Sequence, residues 1–503
     1  MASEQPPKKP RRTISAKLAP IKATGSDVKA PPPTAEQIAV WQSLGPDQKM
    51  AVREREAVRM FIDGLARHND GDLEEAARLY GQALALNPNI PDIYINLGVA
   101  LRALGKPEAS AACYHRALAL SPDNASAYTN LGNVLRGLGQ LEAAVANLRR
   151  AAELNPDSAD IHYNLGLALR DTGQLDETLE CFAKTLAMHP DHSGCHFDRA
   201  LTLLQKGDLK QGFAEYEWRW KLGNNAPRDF SQPQWDGEAL GGKTILLHAE
   251  QGFGDMIQFA RYIALVKGRG GTIIVEAQPP LSRLFSTIEG VGQVVNTGAD
   301  LPRFDVWTPM LSLARIFGTA EGMVPADVPY LNAPEAFGGQ LPATLSSQLK
   351  VGIAWAGNAS HQNDARRSCP FNHFTELMGL ADVALYSLQT GRAAGDIAGH
   401  GCQAFVTDLG GKMNDFADTA AAIDQLDLII SVDTAVAHLA GAMAKPVWVA
   451  LPHPGDWRWM QGSDTSPWYP TMQLFRQPAP GDWASVFAAL KTALATEAGG
   501  KTA

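Results

Sequence analysis

Four segments of this chain combine acids, arginines and glycines in patterns that suit group transfer. Residues 248–255 read His-Ala-Glu-Gln-Gly-Phe-Gly-Asp, so Gly252 and Gly254 form a tight turn that Asp255 closes at the start of a helical stretch. A carboxylate there either caps the helix or stands ready to accept a proton. Residues 355–370 carry Gly357, Arg366 and Arg367. Guanidinium forks beside a strand end match phosphate oxygens; the plainer alternative is an exposed polar loop. Residues 431–438 read Ser-Val-Asp-Thr-Ala-Val-Ala-His, with Asp433 and Thr434 at a strand end and His438 about one helical turn on. Asp433 either orders its loop by accepting N–H bonds or contacts a ligand. The fourth segment, 451–470, is dense in aromatics and includes His453 and Arg458. It reads either as a lid packed on the protein or as a stacking platform with Arg458 near phosphate.

The elements that must position these residues follow from periodicity. Apolar runs at 244–248, 272–276, 291–295, 351–355, 383–388, 427–431 and 446–450 read as buried strands, separated by helical stretches at 255–267, 280–287, 414–425 and 434–443. This alternation predicts a parallel α/β fold, with a Pro- and Ala-rich stretch at 325–347 dividing it into two lobes, 240–330 and 348–498. Ligands in such sheets bind beyond the carboxyl ends of the strands, where three of the segments fall.

The first half has another period. Gly71, Gly105, Gly139, Gly173 and Gly207 recur every 34 residues, and Pro88, Pro122, Pro156 and Pro190 keep step. A second glycine series, Gly64, Gly98, Gly132 and Gly166, marks where two helices approach closely. This pattern is that of the tetratricopeptide repeat, a helix-turn-helix unit that stacks into a superhelix, with about five units over 57–222. The first and last units drift: Met60 and Asp63 replace motif residues in one, and His196, Arg199 and Ala200 in the other. The repeats imply a groove for a protein or peptide partner.

Composition narrows the class. Net charge is −9, yet the first 35 residues hold seven Lys or Arg against two acids and a Pro31–Pro33 run, so residues 1–50 read as a disordered basic, Pro-rich tail. Pro7 to Arg12 looks like a nuclear address or simply a solvated charge cluster. The remaining chain is more acidic still, which argues against nucleic acid as the main partner. No apolar run approaches the ~20 residues of a membrane helix. Five cysteines without paired spacing, Cys113, Cys181, Cys195, Cys369 and Cys402, fit a reducing, cytoplasmic setting. His189, His192, Cys195 and His196 cluster in sequence, but they fall on an inter-repeat turn and read as structural rather than as a zinc site.

Gly254-Asp255 opening a helix, Arg367-Ser-Cys-Pro370 and Asp433-Thr434-Ala-Val-Ala-His438 together resemble the heptosyltransferase-like family 9 glycosyltransferases of GT-B fold, over roughly 240–480. The order of repeats followed by this domain resembles the protein O-GlcNAc transferases and bacterial flagellin glycosyltransferases. The resemblance implies a Rossmann-type, two-lobed α/β transferase after the all-α superhelix, using a nucleotide-sugar donor as substrate and no cofactor. It implies Asp255 as the base for the acceptor hydroxyl, Arg367 as a phosphate contact where the family commonly carries lysine, and Asp433, Thr434 and His438 on the donor site; Arg458 joins the donor-binding candidates from the reading of its own aromatic segment. Ala435 stands where the family usually has glycine, and the first lobe is short. No Asp-x-Asp motif ends a strand, so metal-independent, inverting transfer is the expectation. The competing expectation is a non-catalytic adaptor that keeps the lobes as a platform.

Overall fold

The computed structural model describes residues 43–223, 228–250, 252–334, 341, 348–359 and 364–501. Tail residues 1–42 and the loop residues Gln251, His361 and Asn363 lie outside this set. The chain forms two compact units, Met1–Pro190 and Asp191–Ala503.

The first unit is a stack of helix pairs: α1 (Pro46–Asn69) with α2 (Leu73–Leu86), α3 (Pro91–Ala103) with α4 (Pro107–Leu120), α5 (Ala125–Gly137) with α6 (Leu141–Leu154), and α7 (Ala159–Asp171) with α8 (Leu175–Met188). Helix α1 starts at Pro46, where proline's fixed φ suits a first helical position, so residues 46–50 are helical rather than tail. The crossing glycines work by absence of a side chain. A Cβ on Gly64, Gly98 or Gly166 would come within 2.6–2.7 Å of the ring of Tyr80, Tyr114 or Phe182, and one on Gly132 within 2.6 Å of Leu148. The turn glycines adopt φ of +74° to +83° at Gly71, Gly105, Gly139 and Gly173, which other residues reach only with strain. Each second helix ends two residues before its proline, at Leu86, Leu120, Leu154 and Met188.

The fifth pair, α9 (Ser193–Lys206) and α10 (Leu209–Tyr216), belongs to the second unit and runs into a 3-10 turn, Glu217–Lys221. Two wholly parallel sheets follow. The first contains β1 (Thr244–His248), β2 (Thr272–Ala277), β3 (Val291–Asn296) and β4 (Val306–Pro309) in the order β3-β2-β1-β4. The second contains β5 (Leu349–Ala354), β6 (Val383–Ser387), β7 (Val406–Asp408), β8 (Leu428–Val432), β9 (Val447–Leu451) and β10 (Met472–Arg476) in the order β10-β9-β8-β5-β6-β7. Strands β4, β7 and β10 were not predicted. The first is four residues ending in proline, the second three residues, and the third is broken by Gln473.

Helix α11 (Phe253–Phe259) and helix α12 (Pro279–Phe285) belong to the first lobe; α13 (Phe416–Asp424), α14 (Ala435–Ala442) and the C-terminal α15 (Trp483–Lys501) belong to the second. One apolar core joins both lobes and the fifth repeat: Leu204, Leu209 and Phe213 share a cluster with Ile257, Phe259, Ala437, Trp457 and Trp468. Phe213 meets Phe259, Trp457 and Trp468 edge to face at centroid distances of 5.8–6.2 Å. The division expected at 325–347 is tied to both lobes in its described part: the Tyr330 hydroxyl donates to Ile257 O (3.0 Å) and its backbone N–H to Ala442 O (3.0 Å).

Candidate functional site

In each lobe the strand order reverses beside the first strand, between β1 and β4 and between β5 and β8. These are the switch points at which open parallel sheets leave a crevice, and the candidate residues lie there. Strand β1 runs into the turn that ends at Asp255, β5 leads to Gly357 and Arg367, and β8 leads to Asp433 and Thr434.

Gly252 is the residue before α11 and takes φ +83°; a Cβ on it would stand 2.9 Å from Asp255 Oδ2. Asp255 is the third residue of the helix rather than its cap. Its carboxylate crosses the crevice to the second lobe, where Oδ1 accepts from the Arg458 guanidinium in an ion pair. The other arm of Arg458 is held by Asp456 Oδ1 (2.7 Å), which also accepts from the Arg458 backbone N–H (3.0 Å). Asp456 was not singled out from the sequence. Burial pushes the Asp255 pKa up, and the Asp456 and Glu250 carboxylates add to this; Arg458 opposes them, and the net direction is upward.

Gly254 serves interlobe packing. A Cβ there would press on His438 Cδ2 at 3.0 Å and lie 3.8 Å from Ala435 Cα. His438 is itself wedged, stacked on Trp459 (centroids 5.0 Å, 22°), with Nδ1 2.9 Å from the Tyr469 hydroxyl. Burial first, then Arg458, Arg261 and Arg367, drive the His438 pKa well below its usual range, so the ring is neutral at pH 7. Burial also holds the proton on Tyr469. With the phenol as donor, the imidazole proton sits on Nε2.

Asp433 is 8% exposed and its pKa is pushed up to about 6, by burial first and then by Asp456, with Arg458 and Arg367 pulling the other way. The Trp459 indole N–H also acts downward on this carboxylate, although it makes no hydrogen bond of normal geometry. Thr434 precedes α14 without capping it; its hydroxyl pairs with Ser431 Oγ (2.9 Å) instead. Arg367 lies 3.6 Å from Asp364, and its buried Nε has no hydrogen-bond partner among the described residues. Gly357 makes room for it: a Cβ there would fall 2.7 Å from the guanidinium. His453 is tied through its backbone N–H to Gln477 (3.2 Å).

Asp255, Arg458, Asp433, His438 and Arg367 therefore form one electrostatic cluster. The aromatics of 451–470 do not form an open stacking platform, because Trp457 is 5% exposed and Trp459, Trp468 and Tyr469 are fully buried. They are core, packed in part by Phe213. In the former zinc candidate, His192 Nδ1 accepts from Cys195 N (2.9 Å), and His196 pairs with Glu215 (2.6 Å). Among the described residues no group of three or more His, Cys, Asp or Glu side chains is placed to hold a metal ion.

The fifth repeat supplies residues that sequence reasoning passed over. The Gln205 side chain donates to Gly455 O (2.9 Å) and the Gln205 backbone carbonyl accepts from Gln461 N (3.0 Å), fastening both ends of the loop that carries Arg458. Arg219 is 4% exposed and binds Glu250 through two bonds (2.7 and 3.0 Å), Glu217 (2.7 Å) and Ser312 (2.8 Å). Glu250 lies in the turn before Asp255, so this network anchors that turn. Tyr216 packs beside Trp457 at 6.4 Å; burial first, then the Asp255 charge, hold its hydroxyl well above the usual phenol range. Tyr216 stands 34 residues after Phe182, so the repeat pattern gives it only a motif position.

Comparison with known proteins finds a match in each half of the chain. Tetratricopeptide profiles match residues 64–105, 100–139 and 132–173, and a further one 163–219. The profile of glycosyltransferase family 9 (heptosyltransferase) matches 386–452, a span that includes Asp433, Thr434 and His438 but not Asp255, Arg367 or Arg458. The chain thus carries tetratricopeptide repeats together with a family 9 segment. It is similar to Protein FlbA of Caulobacter vibrioides, 27% identical over 313 residues that cover 56% of this chain and 52% of the relative. It therefore spans about half the length of that curated relative. Among solved structures, MamA matches 31% of this chain and 92% of its own at 26% identity and TM-score 0.30. YrrB, a TPR protein with an unusual peptide-binding site, matches 36% of this chain and 94% of its own at 22% identity and TM-score 0.31. No helix among the described residues is long and apolar enough to cross a membrane.

Proposed function

We propose that this protein is a cytoplasmic inverting glycosyltransferase, of GT-B type, that moves a sugar from a nucleotide-sugar donor to a hydroxyl of a protein selected by its repeats. The observation that carries this reading is the meeting of Asp255 from one switch point with Arg458, Arg367 and Asp433 around the other. Asp255 takes the acceptor proton as the acceptor oxygen bonds to the anomeric carbon. The anomeric C–O bond to phosphate breaks on the opposite side, and the nucleoside diphosphate leaves with the electron pair.

Arg367 and Arg458 supply the positive charge that the departing diphosphate calls for, aided by the first-turn N–H groups after Thr434, so the scheme needs no divalent ion. Burial raises the pKa of Asp255, which suits a base working near neutral pH. His438, neutral and wedged, holds the two lobes in register and carries no charge to the donor.

Purified protein incubated with a panel of nucleotide sugars and a cell-lysate acceptor fraction should release nucleoside diphosphate, and Asp255→Asn should stop the release. Absence of release with every donor and acceptor would leave the second reading, a non-catalytic adaptor. That reading is favoured by one observation, the ion pair in which the candidate base is already engaged.

A further inference from the structure

Resting on the transferase reading and deepening it, we infer that Arg458 is shared between two anions, Asp255 in the unliganded protein and the donor diphosphate in the loaded one. Donor binding itself then releases the base.

The geometry separates a fixed half of Arg458 from an exchangeable half. One nitrogen is held by Asp456 Oδ1, and the same oxygen accepts from the Arg458 backbone N–H. Both bonds lie within three residues of one loop, and the guanidinium lies over the Trp457 ring at 4.3 Å. Gln205 fastens that loop at Gly455 and Gln461. The other nitrogen reaches across the crevice to Asp255, on a different lobe. Exchange at that nitrogen alone costs the loop nothing of its own structure.

The surroundings favour an incoming anion. Arg367 brings a second guanidinium, whose Nε stands 3.6 Å from Asp364 Oδ1 without a hydrogen bond, close enough to act electrostatically on Asp433 and His438. A diphosphate bound between Arg367 and Arg458 has two lone-pair-rich phosphates to offer, whereas Asp255 offers one carboxylate oxygen. Once phosphate takes that nitrogen of Arg458, Asp255 loses its direct partner in a buried setting, and its affinity for a proton rises. The base thus becomes strong only when the donor is in place. In the unliganded protein it is held as an ion pair and does not activate water.

Calorimetric titration of the full chain with inorganic pyrophosphate tests the exchange without any need for turnover. Asp255→Asn removes the rival anion and should tighten pyrophosphate binding about tenfold, the size of one close charge contact. Arg458→Met should weaken binding, and in an Arg458→Met background Asp255→Asn should tighten it no more than about twofold, the residue of through-space repulsion. Arg458→Lys, which keeps the charge but loses the fork, should fall between these and serves if the methionine variant does not fold. If the wild-type chain binds pyrophosphate and Asp255→Asn leaves that affinity unchanged or lower, the exchange is wrong while the phosphate site stands. If the tightening persists undiminished without Arg458, repulsion alone explains it and the inference is overturned. Failure of the wild-type chain to bind pyrophosphate at millimolar concentration removes the phosphate site, and the proposed function with it.

Discussion

The fourth and fifth repeats share one period and differ in what their second helices cover. In the fourth, Gly166 lets α7 and α8 close until the Phe182 ring fills the space of a missing side chain. In the fifth, Ala200 restores the methyl at that position, and the close approach moves to Gly212, where a Cβ would stand 2.6 Å from Leu204. Tyr216, in the place of Phe182, turns to Trp457 and the Asp255 charge, and Phe213 enters the aromatic core shared by both lobes. A repeat joins the array or the α/β body according to its tertiary partners, and the period does not record which.

The largest expected effect tests that division directly. Phe182→Ala and Phe213→Ala should each cost about 3–5 kcal/mol, since both empty a fully packed site. Hydrogen exchange followed peptide by peptide should place the first loss in the first four repeats and the second in β1, α11 and the loop after β9. Equal loosening of both regions by either variant would erase the distinction between array and body.

Arg219 offers a contrast in charge. Arg219→Met strands the nearly buried Glu250 and leaves the partly exposed Glu217 with Ser312 alone, and should destabilise the second unit by about 3 kcal/mol in urea unfolding. Arg149→Met breaks an array pair whose side chains are about half exposed (Arg149 49%, Glu177 50%), and should cost less than about 1 kcal/mol.

A third test concerns pH. With its folded pKa near 6, above the unfolded value, Asp433 binds its proton more tightly in the native state. Its contribution to stability is therefore full below about pH 4 and is lost as pH rises through about 6. Asp433→Asn should stabilise the second unit at pH 8 by on the order of 2 kcal/mol, seen as a higher thermal midpoint, and the gain should vanish at pH 4. The first four repeats should keep their midpoint at both pH values.

The smallest effect should be common to both regions. Gly173 (φ +77°) and Gly207 (φ +97°) turn the chain in the same way in the fourth and fifth repeats. Gly173→Ala and Gly207→Ala should each cost about 1 kcal/mol by chemical denaturation, because the strain is that of one backbone position. A much larger loss for Gly207→Ala would mean that the fifth turn carries tertiary load as well.

Much of this was legible in the residues because it is local. Proline and glycine punctuate the helix pairs at fixed intervals, and seven apolar runs lie on seven of the ten strands. Strands β4, β7 and β10 escaped because a short or polar-interrupted run is held by its neighbours rather than by its own pattern. In the site, Asp255, Asp433 and Arg367 stand near ends of regular elements, where residue type is informative, and His438 and Arg458 lie in short segments of marked composition. Asp456, Gln205, Arg219 and Tyr216 were not legible, because their meaning lies in contacts distant along the chain. Gln205 meets its partner 250 residues away. The placement of the fifth repeat in the second unit was hidden for the same reason: its register is unbroken up to Gly207.

That placement bears on how such a chain can change over generations. A unit bounded by identical turns can be duplicated or deleted in frame, since each copy asks only for a neighbour like itself. The first four repeats meet that condition. The fifth does not, because its hairpin is cut to fit two loops of the α/β body through Gln205, Phe213 and Arg219. The number of repeats is thus open to lengthening and shortening upstream of Asp191, while the fifth repeat, built into the α/β body, stays fixed as a single copy.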